Sequence, residues 1–408
     1  MQKERLVIKN FGPIKSIDLE LGKMTILIGE QATGKSTIAK VLAVCRYFSY
    51  IADFRTNINL SNEQFFEGLK NWELDGYLLE NSEIYFENSD YSFQVKNKKI
   101  TETEVVTDLK PLLEKIYFEQ ETKFTPKSEK AIELTNELQE TKNAIENNFF
   151  NGWFPSEKFF RLDVSKVISN PFYIPTERGL QSIFSLGKSS IQNISDSLFN
   201  QFAKMDMFAR AFKNETEIKP LNILYKNVNG QGFVKNERQT EFSSLYNGAS
   251  GYQSIIPVVL AVKYYSENKR KKKTFIIEEP ELNLFPKAQK KLMEFFVENI
   301  NTNGHSFLLP THSPYIVSTL GNLIYAHKIG NLDNKKYSEE VKKSIPEKYW
   351  LNINDISAYY LENGEAKNLV NTEECLINLD NLDSVSEIIN KEFDELLNLE
   401  VQFENIDL

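Results

Sequence analysis

The fold is decided by Gly29-Glu30-Gln31-Ala32-Thr33-Gly34-Lys35-Ser36, which fits the pattern G-x-x-x-x-G-K-[ST] without a mismatch. The apolar run Met24–Ile28 before it is typical of a central strand, and residues 37–48 after it have the apolar spacing of a helix. Strand, glycine loop and helix in this order predict a phosphate-binding loop, because glycines let backbone amides approach phosphate and a helix start attracts anions. A chance glycine turn is the alternative, and both flanks disfavour it.

A second signal is the apolar strand Thr274–Ile277, which leads directly into Glu278-Glu279-Pro280-Glu281. The carboxyl ends of strands are where α/β sheets bind ligands. Phosphoryl transfer to water uses one acid to hold Mg²⁺ through its water shell and a second to orient the attacking water. Glu278 is placed for the first role and Glu279 for the second. The alternative is a solvated acidic turn that caps the next helix.

Two further turns carry polar groups that suit an anion. Ser250 and Gly251 open an apolar helix, where a hydroxyl and free amides are available. His312 follows the apolar strand Ser306–Leu309 and is placed to hydrogen-bond a terminal phosphate. Taken alone, the first turn is equally consistent with an ordinary helix cap, and His312 with a loop histidine that has no catalytic role.

Strands alternate with helices from Phe172 onward, which predicts parallel βαβ units and an α/β fold. The first 30 residues alternate like an N-terminal antiparallel β element. Residues 50–170 are interpreted as a mostly helical insertion, with a hairpin over Ile84–Val95 and a helix over Pro126–Phe149. The predicted division has four parts: 1–49 and 171–330 as the two halves of one nucleotide-binding domain, 50–170 as the insertion, and 331–408 as a C-terminal region with an acidic tail.

Composition limits the class of protein. The chain has 408 residues, of which 41% are hydrophobic and 26% charged, and this excludes a wholly disordered or collagen-like chain. No apolar run approaches the roughly 20 residues that span a bilayer, and the N-terminus lacks the apolar run of a signal peptide. With only Cys45 and Cys375 available, no disulfide framework is expected, and the cytoplasm is the expected compartment.

The net charge of −9 is concentrated at one end of the chain. Residues 371–408 hold eleven acidic side chains and one lysine, so the remainder of the chain is nearly neutral. The tail is therefore a candidate docking element for a basic partner or for the protein's own basic surface.

The order of the motifs is more specific than any one of them. Phosphate loop, S-G-x-Q turn, I-E-E-P-E strand and T-H-S-P turn together resemble the ABC-type ATPases of the SMC, RecF and OLD group. Within that group the chain is most similar to the AAA-family ATP-binding proteins of bacterial anti-phage systems of the PARIS and Septu types. The N-terminal I-K-N-F-G-P-I also resembles the opening strand and turn of the group. The resemblance covers residues 1–48 and about 172–330.

This resemblance implies an ABC-type P-loop domain that forms a head-to-head homodimer, or a higher homo-oligomer, around ATP and Mg²⁺. It implies that Glu279 is the catalytic carboxylate, that His312 is the switch histidine, and that residues 281–286 couple the two sites. Arg178, in Y-I-P-T-E-R, is expected near the nucleotide. The implied ATP-binding residues are Gly29, Gln31, Ala32, Thr33, Gly34, Lys35, Ser36 and Thr37; the residues acting on the partner's nucleotide are Ser250, Gly251 and Gln253; those on the metal are Ser36 and Glu278.

Two departures from the group's pattern predict slow, regulatory ATP hydrolysis. Glu278 stands where ABC proteins generally have Asp, although the subgroup commonly uses Glu there. The signature is A-S-G-Y-Q, so Tyr252 adds bulk where a second glycine is usual. Both features favour a long-lived ATP-bound state.

The function expected from the resemblance is a sensor and scaffold that controls an effector in anti-phage defence. OLD-type proteins carry a C-terminal nuclease, whereas the roughly 80 residues after T-H-S-P show no such pattern, so a nuclease or toxin effector is expected on a separate chain. The alternative is a RecF- or SMC-like DNA-binding ATPase in repair, in which the basic run 269–273 would neutralise DNA phosphates. That run is equally consistent with a solvated loop. A P-loop kinase is a third hypothesis, but it leaves Ser250, Gly251 and His312 unexplained.

Overall fold

The fold is that of a computed structural model, which describes residues 4–54, 62–88, 91–105, 171–180, 196–267, 272–332 and 335–378, and Lys391. The predicted helix Pro126–Phe149, most of the predicted insertion, most of the basic run and most of the acidic tail lie outside the described residues. None of the described helices is both long and apolar enough to cross a membrane.

Strands make up the framework of the described chain, and they form one large sheet, a smaller four-stranded sheet and a short two-stranded pair. The strands are β1 (Glu4–Phe11), β2 (Ile14–Leu21), β3 (Met24–Gly29), β4 (Leu78–Glu87), β5 (Tyr91–Lys96), β6 (Lys99–Val105), β7 (Phe172–Ile174), β8 (Thr216–Ile218), β9 (Ile223–Val228), β10 (Gln231–Asn236), β11 (Ser243–Ser244), β12 (Thr274–Ile277), β13 (Ser306–Thr311), β14 (Ile356–Glu362), β15 (Glu365–Asn368), β16 (Val370–Asn371) and β17 (Leu376–Ile377).

The large sheet has 11 strands in the order β6-β5-β4-β1-β2-β15-β14-β3-β13-β12-β7. The five strands from β14 to β7 are parallel. Every residue of β3 is buried, as expected of a central strand covered on both faces. The predicted α/β fold is therefore confirmed, and the carboxyl ends of these five strands meet at one edge of the sheet.

The other side of the large sheet is antiparallel. β1 and β2 pair through a tight turn, with Phe11 opposite Ile14, and Gly12 in that turn has a φ of 53° that favours glycine. β4 pairs with β1, and β5 and β6 continue outward from β4. In the second half of β4, buried and partly buried positions alternate, which is the period-2 pattern of a half-buried strand.

Where the structure describes the predicted insertion, it contains both helix and strand. Within 50–170, the end of the first helix and the helix Asn62–Asn71 are followed by the strands β4, β5 and β6, which extend the main sheet. Alternating side chains such as Ile84, Phe86, Phe93 and Val95 are all buried, and a helix would scatter them over several faces. The hairpin expected over Ile84–Val95 is confirmed.

Helices flank the sheet, and the first of them contains the predicted span 37–48 and extends beyond it at both ends. They are α1 (Lys35–Phe54), α2 (Asn62–Asn71), α3 (Asp196–Ala211), α4 (Ser250–Glu267), α5 (Pro286–Asn303), α6 (Pro314–Gly330) and α7 (Lys335–Ser344). Proline marks the start of two of these helices. Both α5 and α6 have a proline at the first position, where its missing N–H costs nothing.

The two faces of the sheet bury two separate cores. Met24, Ile26 and Ile28 of β3 belong to one core, which also contains α3, α4, α5 and the four-stranded sheet β8–β11. Leu27, between them, belongs to the other core, which contains α1 and the antiparallel strands. One strand thus supplies both cores, because its side chains alternate across the sheet.

The boundary predicted at residue 330 does not separate a C-terminal region from the fold. β14 lies in the middle of the large sheet and pairs in parallel with β3, from Ile356 opposite Met24 to Leu361 opposite Gly29. The Tyr359 hydroxyl accepts a hydrogen bond from the Glu20 amide at 2.9 Å, which joins β14 to β2. The chain beyond residue 330 therefore completes the sheet that carries the phosphate loop.

This placement predicts a large difference between two leucine truncations. Leu361 is 1% exposed in β14, whereas Leu376 is 41% exposed in β17. Leu361→Ala should lower the free energy of unfolding by about 2–5 kcal/mol, because it leaves a cavity beside β3. Leu376→Ala should change it by less than about 0.5 kcal/mol. Urea titrations of both variants provide the measurement, and equal small shifts would contradict the central position of β14.

Candidate active site

The phosphate loop leaves the sheet at the carboxyl end of β3 and enters α1. Gly29 ends β3 against the backbone of β14, and a Cβ there would lie 2.3 Å from the Leu361 carbonyl oxygen. Gly34 has a φ of 96°, which side-chain-bearing residues rarely adopt. Its carbonyl accepts the Ile38 amide at 2.9 Å, so helical hydrogen bonding begins immediately after the loop.

The remaining predicted loop residues present different amounts of surface. Gln31, Ala32 and Ser36 are exposed, Thr33 is half-buried and Thr37 is buried. The first amides of α1 have no partner within the helix, which is the usual arrangement of an anion site. The loop therefore offers an exposed hydroxyl at Ser36 and unpaired amides, as predicted.

Lys35 is turned into its own loop. Its Nζ donates to the carbonyls of Gly29 at 2.8 Å and Glu30 at 2.5 Å, and to the Thr33 hydroxyl at 3.3 Å. The residue is only 6% exposed. Burial lowers the pKa of Lys35 to about 8, against the opposing attraction of Glu279, Glu281 and Glu30. A bound anion would therefore stabilise the charged form of Lys35.

Glu278 faces inward from the end of β12. It is 4% exposed, and its amide donates to the Ile174 carbonyl of β7 at 3.0 Å. Its Oε1 and the hydroxyl of Tyr173 are both buried without a hydrogen bond of normal geometry. Burial and the nearby Glu278 carboxylate raise the pKa of Tyr173, so the two groups interact. A buried carboxylate oxygen without a well-placed donor fits a cation or its bound water, because desolvation of such an oxygen is otherwise costly. Glu278 is thus suited to the metal side of the site.

Glu279 faces outward and lies close to His312. Oε1 of Glu279 lies 3.8 Å from Nε2 of His312. The side chain of Glu279 is 36% exposed and that of His312 is 28% exposed. The Glu279 amide donates to the Pro310 carbonyl at 2.8 Å, and its φ is 40°. A positive φ at a residue other than glycine is strained and needs support from its surroundings.

Glu281 was not assigned its own role by sequence, yet it organises the turn that carries His312. Its Oε1 accepts the Thr311 hydroxyl at 2.8 Å and the His312 amide at 2.7 Å. Ser313 is fixed in turn by donating to the Gln289 side chain at 2.6 Å. The signal available in the sequence was the third acid of E-E-P-E, but nothing in the pattern indicates which backbone it binds.

Arg178, which was expected near the nucleotide, lies behind the acidic turn of the candidate site. It is fully buried, and its guanidinium donates to backbone carbonyls of the Pro175, Ser254, Glu278 and Glu279 residues. Burial lowers the pKa of Arg178 to about 10, so it stays protonated at neutral pH. The arginine supports the acidic turn from behind, because its donors are already used there.

The signature turn is anchored to the acidic turn of its own chain. Ser250 is exposed at the start of α4. A Cβ on Gly251 would lie 2.8 Å from the Asn283 carbonyl, and the Ser254 hydroxyl donates to the Leu282 carbonyl at 2.7 Å. The side-chain amide of Gln253 donates to the backbone carbonyls of residues 245, 246 and 248, so this side chain stabilises the preceding turn.

A family comparison accounts for this arrangement. A protein-family model described as the AAA ATPase domain matches residues 47–317, which is well over half of the chain. The chain belongs to the AAA ATPase domain family. The match contains the signature turn, Glu278, Glu279 and His312, and the phosphate loop lies shortly before residue 47, where the match begins. The protein is accordingly an ATPase.

Solved structures similar to this ATPase include SMC heads at low sequence identity. An SMC head bound to the C-terminal winged-helix domain of ScpA has 10% identity and a TM-score of 0.43, with 90% of this chain and 97% of that chain covered. The SMC head domain from Thermotoga maritima has 10% identity and a TM-score of 0.40, with 91% and 99% covered. An SMC head with an extended coiled coil from Pyrococcus furiosus has 11% identity and a TM-score of 0.40, with 95% and 98% covered. No curated protein sequence matches the chain.

The pKa of Lys35 predicts how nucleotide affinity depends on pH. In the free ATPase the amine is charged below pH 8 and loses its proton as the pH rises through that value. Binding of an anion then requires the proton to be taken up again, so affinity should fall by up to about tenfold per pH unit above pH 8. Titration of a fluorescent ATP analogue between pH 7.5 and 9.5 measures this. Lys35→Arg is the control for the slope, since arginine keeps its charge over this range, and a flat wild-type profile would contradict the prediction.

Glu281 is expected to act through the turn that it holds. Glu281→Ala removes the acceptor of the Thr311 hydroxyl and the His312 amide, so hydrolysis should fall by about 10- to 100-fold through misplacement of His312. Nucleotide affinity should change less than hydrolysis, because Glu281 acts on Lys35 through its charge and the described hydrogen bonds of Lys35 go to residues 29, 30 and 33. Glu281→Gln keeps one acceptor oxygen and should retain most of the activity. Steady-state ATPase assays on both variants test this, and equal losses would show that the acceptor is not what matters.

Proposed function

We propose that this ATPase works as an ABC-type dimer, in which the phosphate loop of one copy and the signature turn of the other enclose each ATP. The observation that carries this proposal is the orientation of the signature turn. In the described residues, the hydrogen bonds of 250–254 to other parts of the chain go to 178, 245, 246, 248, 249 and 282, and none goes to the chain's own phosphate loop. The exposed Ser250 hydroxyl and the amides of Ser250 and Gly251 are therefore left for a nucleotide held by a second copy, whereas the amides of Tyr252 and Gln253 bind the Ala249 carbonyl.

The residues of each copy have separable roles in this scheme. Lys35 exchanges its loop carbonyls for phosphate oxygens, and Ser36 with Glu278 would hold Mg²⁺. The metal, when bound, neutralises charge on the phosphate oxygens. No described group of three or more acidic, histidine or cysteine side chains could hold a metal alone, so the cation would be expected to enter with the nucleotide. Glu279 is placed to accept a proton from the attacking water, and His312 to donate a hydrogen bond to the terminal phosphate.

We further propose that turnover is slow and that the ATP-bound dimer is the working state. Tyr252 stands at the second position after the signature serine, and the longer side chain of Glu278 replaces the aspartate usual in ABC proteins. Both alter the geometry around the terminal phosphate. Rapid multiple turnover by the purified protein, without a partner, would contradict this part of the proposal.

The biological role proposed is a sensor and scaffold that controls a separate effector in anti-phage defence. Its support is the resemblance in sequence to the ATP-binding proteins of such systems and the acidic residues 371–408. A DNA-binding role in repair is the alternative. Lys273 of the basic run lies with its Nζ 4.9 Å from the centre of the Tyr265 ring, a contact that is also found in purely structural settings.

Glu279→Gln provides the decisive test of the dimer. The amide cannot accept a proton, so hydrolysis should fall by about 10²- to 10⁴-fold, whereas ATP binding should persist because Lys35 and the loop are unchanged. Light scattering coupled to size exclusion should then show a dimer with ATP and Mg²⁺ and a monomer without nucleotide. Ser250→Arg in the same background is the matched control, since it blocks the exposed signature turn but leaves the phosphate loop intact. If both variants bind ATP but remain monomeric, the proposed ATP-enclosing dimer is contradicted.

The same Glu279→Gln variant can identify the partner. It should accumulate in the ATP-bound state when expressed in its native cells, so a pull-down with ATP and Mg²⁺ should retain a protein effector. Release of that effector after phage infection would support the defence role. Retention of DNA, with an affinity that falls steeply with salt and is lost when 269–273 are neutralised, would instead support the repair alternative.

A further inference from the structure

Arg178 is a buried cation whose hydrogen bonds in the described structure go to backbone carbonyls. Nε donates to Ser254 at 2.9 Å, Nη1 to Pro175 at 3.1 Å and to Glu278 at 2.6 Å, and Nη2 to Glu279 at 2.5 Å. These carbonyls belong to three separate segments: the turn after β7, the first turn of α4 and the acidic turn after β12. One planar, permanently charged group therefore joins three elements of the site.

Two of these contacts bear directly on Glu279. The carbonyls of Glu278 and Glu279 belong to the peptide units on either side of the Glu279 Cα. Both are held by the same guanidinium, and the Glu279 φ of 40° lies between them. Charge-assisted hydrogen bonds are roughly twice as strong as neutral ones, so Arg178 is suited to maintain this strained backbone.

The third contact connects the same guanidinium to the signature helix. Ser254 accepts Nε through its carbonyl and donates its own hydroxyl to Leu282 at 2.7 Å. Leu282 in turn donates its amide to the Glu279 carbonyl at 2.9 Å. The first turn of α4 and the backbone of Glu279 are thus linked by two routes, one through Arg178 and one through Leu282.

We propose that Arg178 is a positioning residue that couples the signature helix to Glu279 of the same chain. When Ser250 and Gly251 engage a nucleotide held by the second copy, the first turn of α4 is fixed, and Arg178 transmits that constraint to the peptides on both sides of Glu279. Hydrolysis in one site then depends on occupancy of the other. This inference rests on the proposed dimer and adds to it the route by which the two sites communicate.

The test compares two buried arginines. Arg178→Lys keeps the charge but replaces a planar fork with a single ammonium, which cannot reach all three segments. Arg46→Lys is the matched control, because Arg46 is also buried, at 6% exposed, but pairs with Glu4. For each variant the measurements are kcat, the Kd of a fluorescent ATP analogue, the Hill coefficient for ATP and the urea midpoint.

Arg178→Lys should lower kcat by about 10- to 100-fold, leave the nucleotide Kd within about threefold, and reduce the Hill coefficient from above one to one. Arg46→Lys should lower the urea midpoint and leave kcat and the Hill coefficient unchanged. Equal kcat and Hill coefficients for Arg178→Lys and wild type would overturn the proposal. The proposal would also be overturned if Arg178→Lys lowered kcat no more than Arg46→Lys does when the two variants have lost the same stability.

Ser254→Ala keeps the proposal testable if Arg178→Lys does not fold. It removes the bond to Leu282 but leaves the carbonyl that binds Arg178, so the Hill coefficient should stay close to that of the wild type. A fall of the Hill coefficient to one would show that the route through Leu282, and not Arg178, carries the coupling. The dimer is judged separately on the wild type: if ATP causes no dimerisation there, the proposed function fails and this coupling fails with it. If the wild type dimerises and Arg178→Lys is unaffected, only the coupling fails.

Discussion

The position of β3 between two parallel neighbours is the constraint on which the site depends. β13 and β14 pair with β3 on either side, and all six residues of β3 are buried. The phosphate loop that follows β3 therefore lies at the carboxyl edge of the sheet, where β13 and β14 also end. β12 is the next strand beyond β13 and ends at the same edge. The phosphate loop, the acidic turn and the turn of His312 therefore meet because of strand pairing, and no attraction between the three turns is needed to assemble them.

Two buried cations lie at this edge, and the balance of forces gives them different uses. Lys35 and Arg178 are both held by carbonyl oxygens of their own chain. For Lys35 the loss of hydration outweighs the nearby carboxylates, and its pKa falls to about 8. For Arg178 burial also lowers the pKa, but only to about 10, so its charge persists across the physiological range. The lysine is the charge that gains most from an arriving anion, whereas the arginine is a permanent fixture of the backbone.

The parts of the fold that local pattern determines were predictable, and the parts that distant pairing determines were not. The strand Thr274–Ile277 was predicted to the residue, because a threonine and three apolar residues are followed at once by charge. β14 was missed, because Ser357 and two tyrosines interrupt its apolar run and its partner lies more than 300 residues away. The backbone contacts of Arg178 were not predicted, since a sequence does not show which carbonyls a side chain will bind. Glu281 was recognised only as part of a loop, since its partners Thr311 and the His312 amide are set by the parallel pairing of β12 and β13.

The stiffness of the site is unevenly distributed, and this bears on how it would work. Arg178 and Ser254 tie the signature turn to the acidic turn, and Glu281 ties the acidic turn to the turn of His312, so these three backbones move together or not at all. The side chains of Glu279 and His312 are the exception. Their 3.8 Å separation is too long for a hydrogen bond, and both remain partly exposed. The two groups that face the reaction are therefore the ones left free to adjust when a nucleotide and a second copy arrive, on a backbone that those arrivals can shift only as a unit.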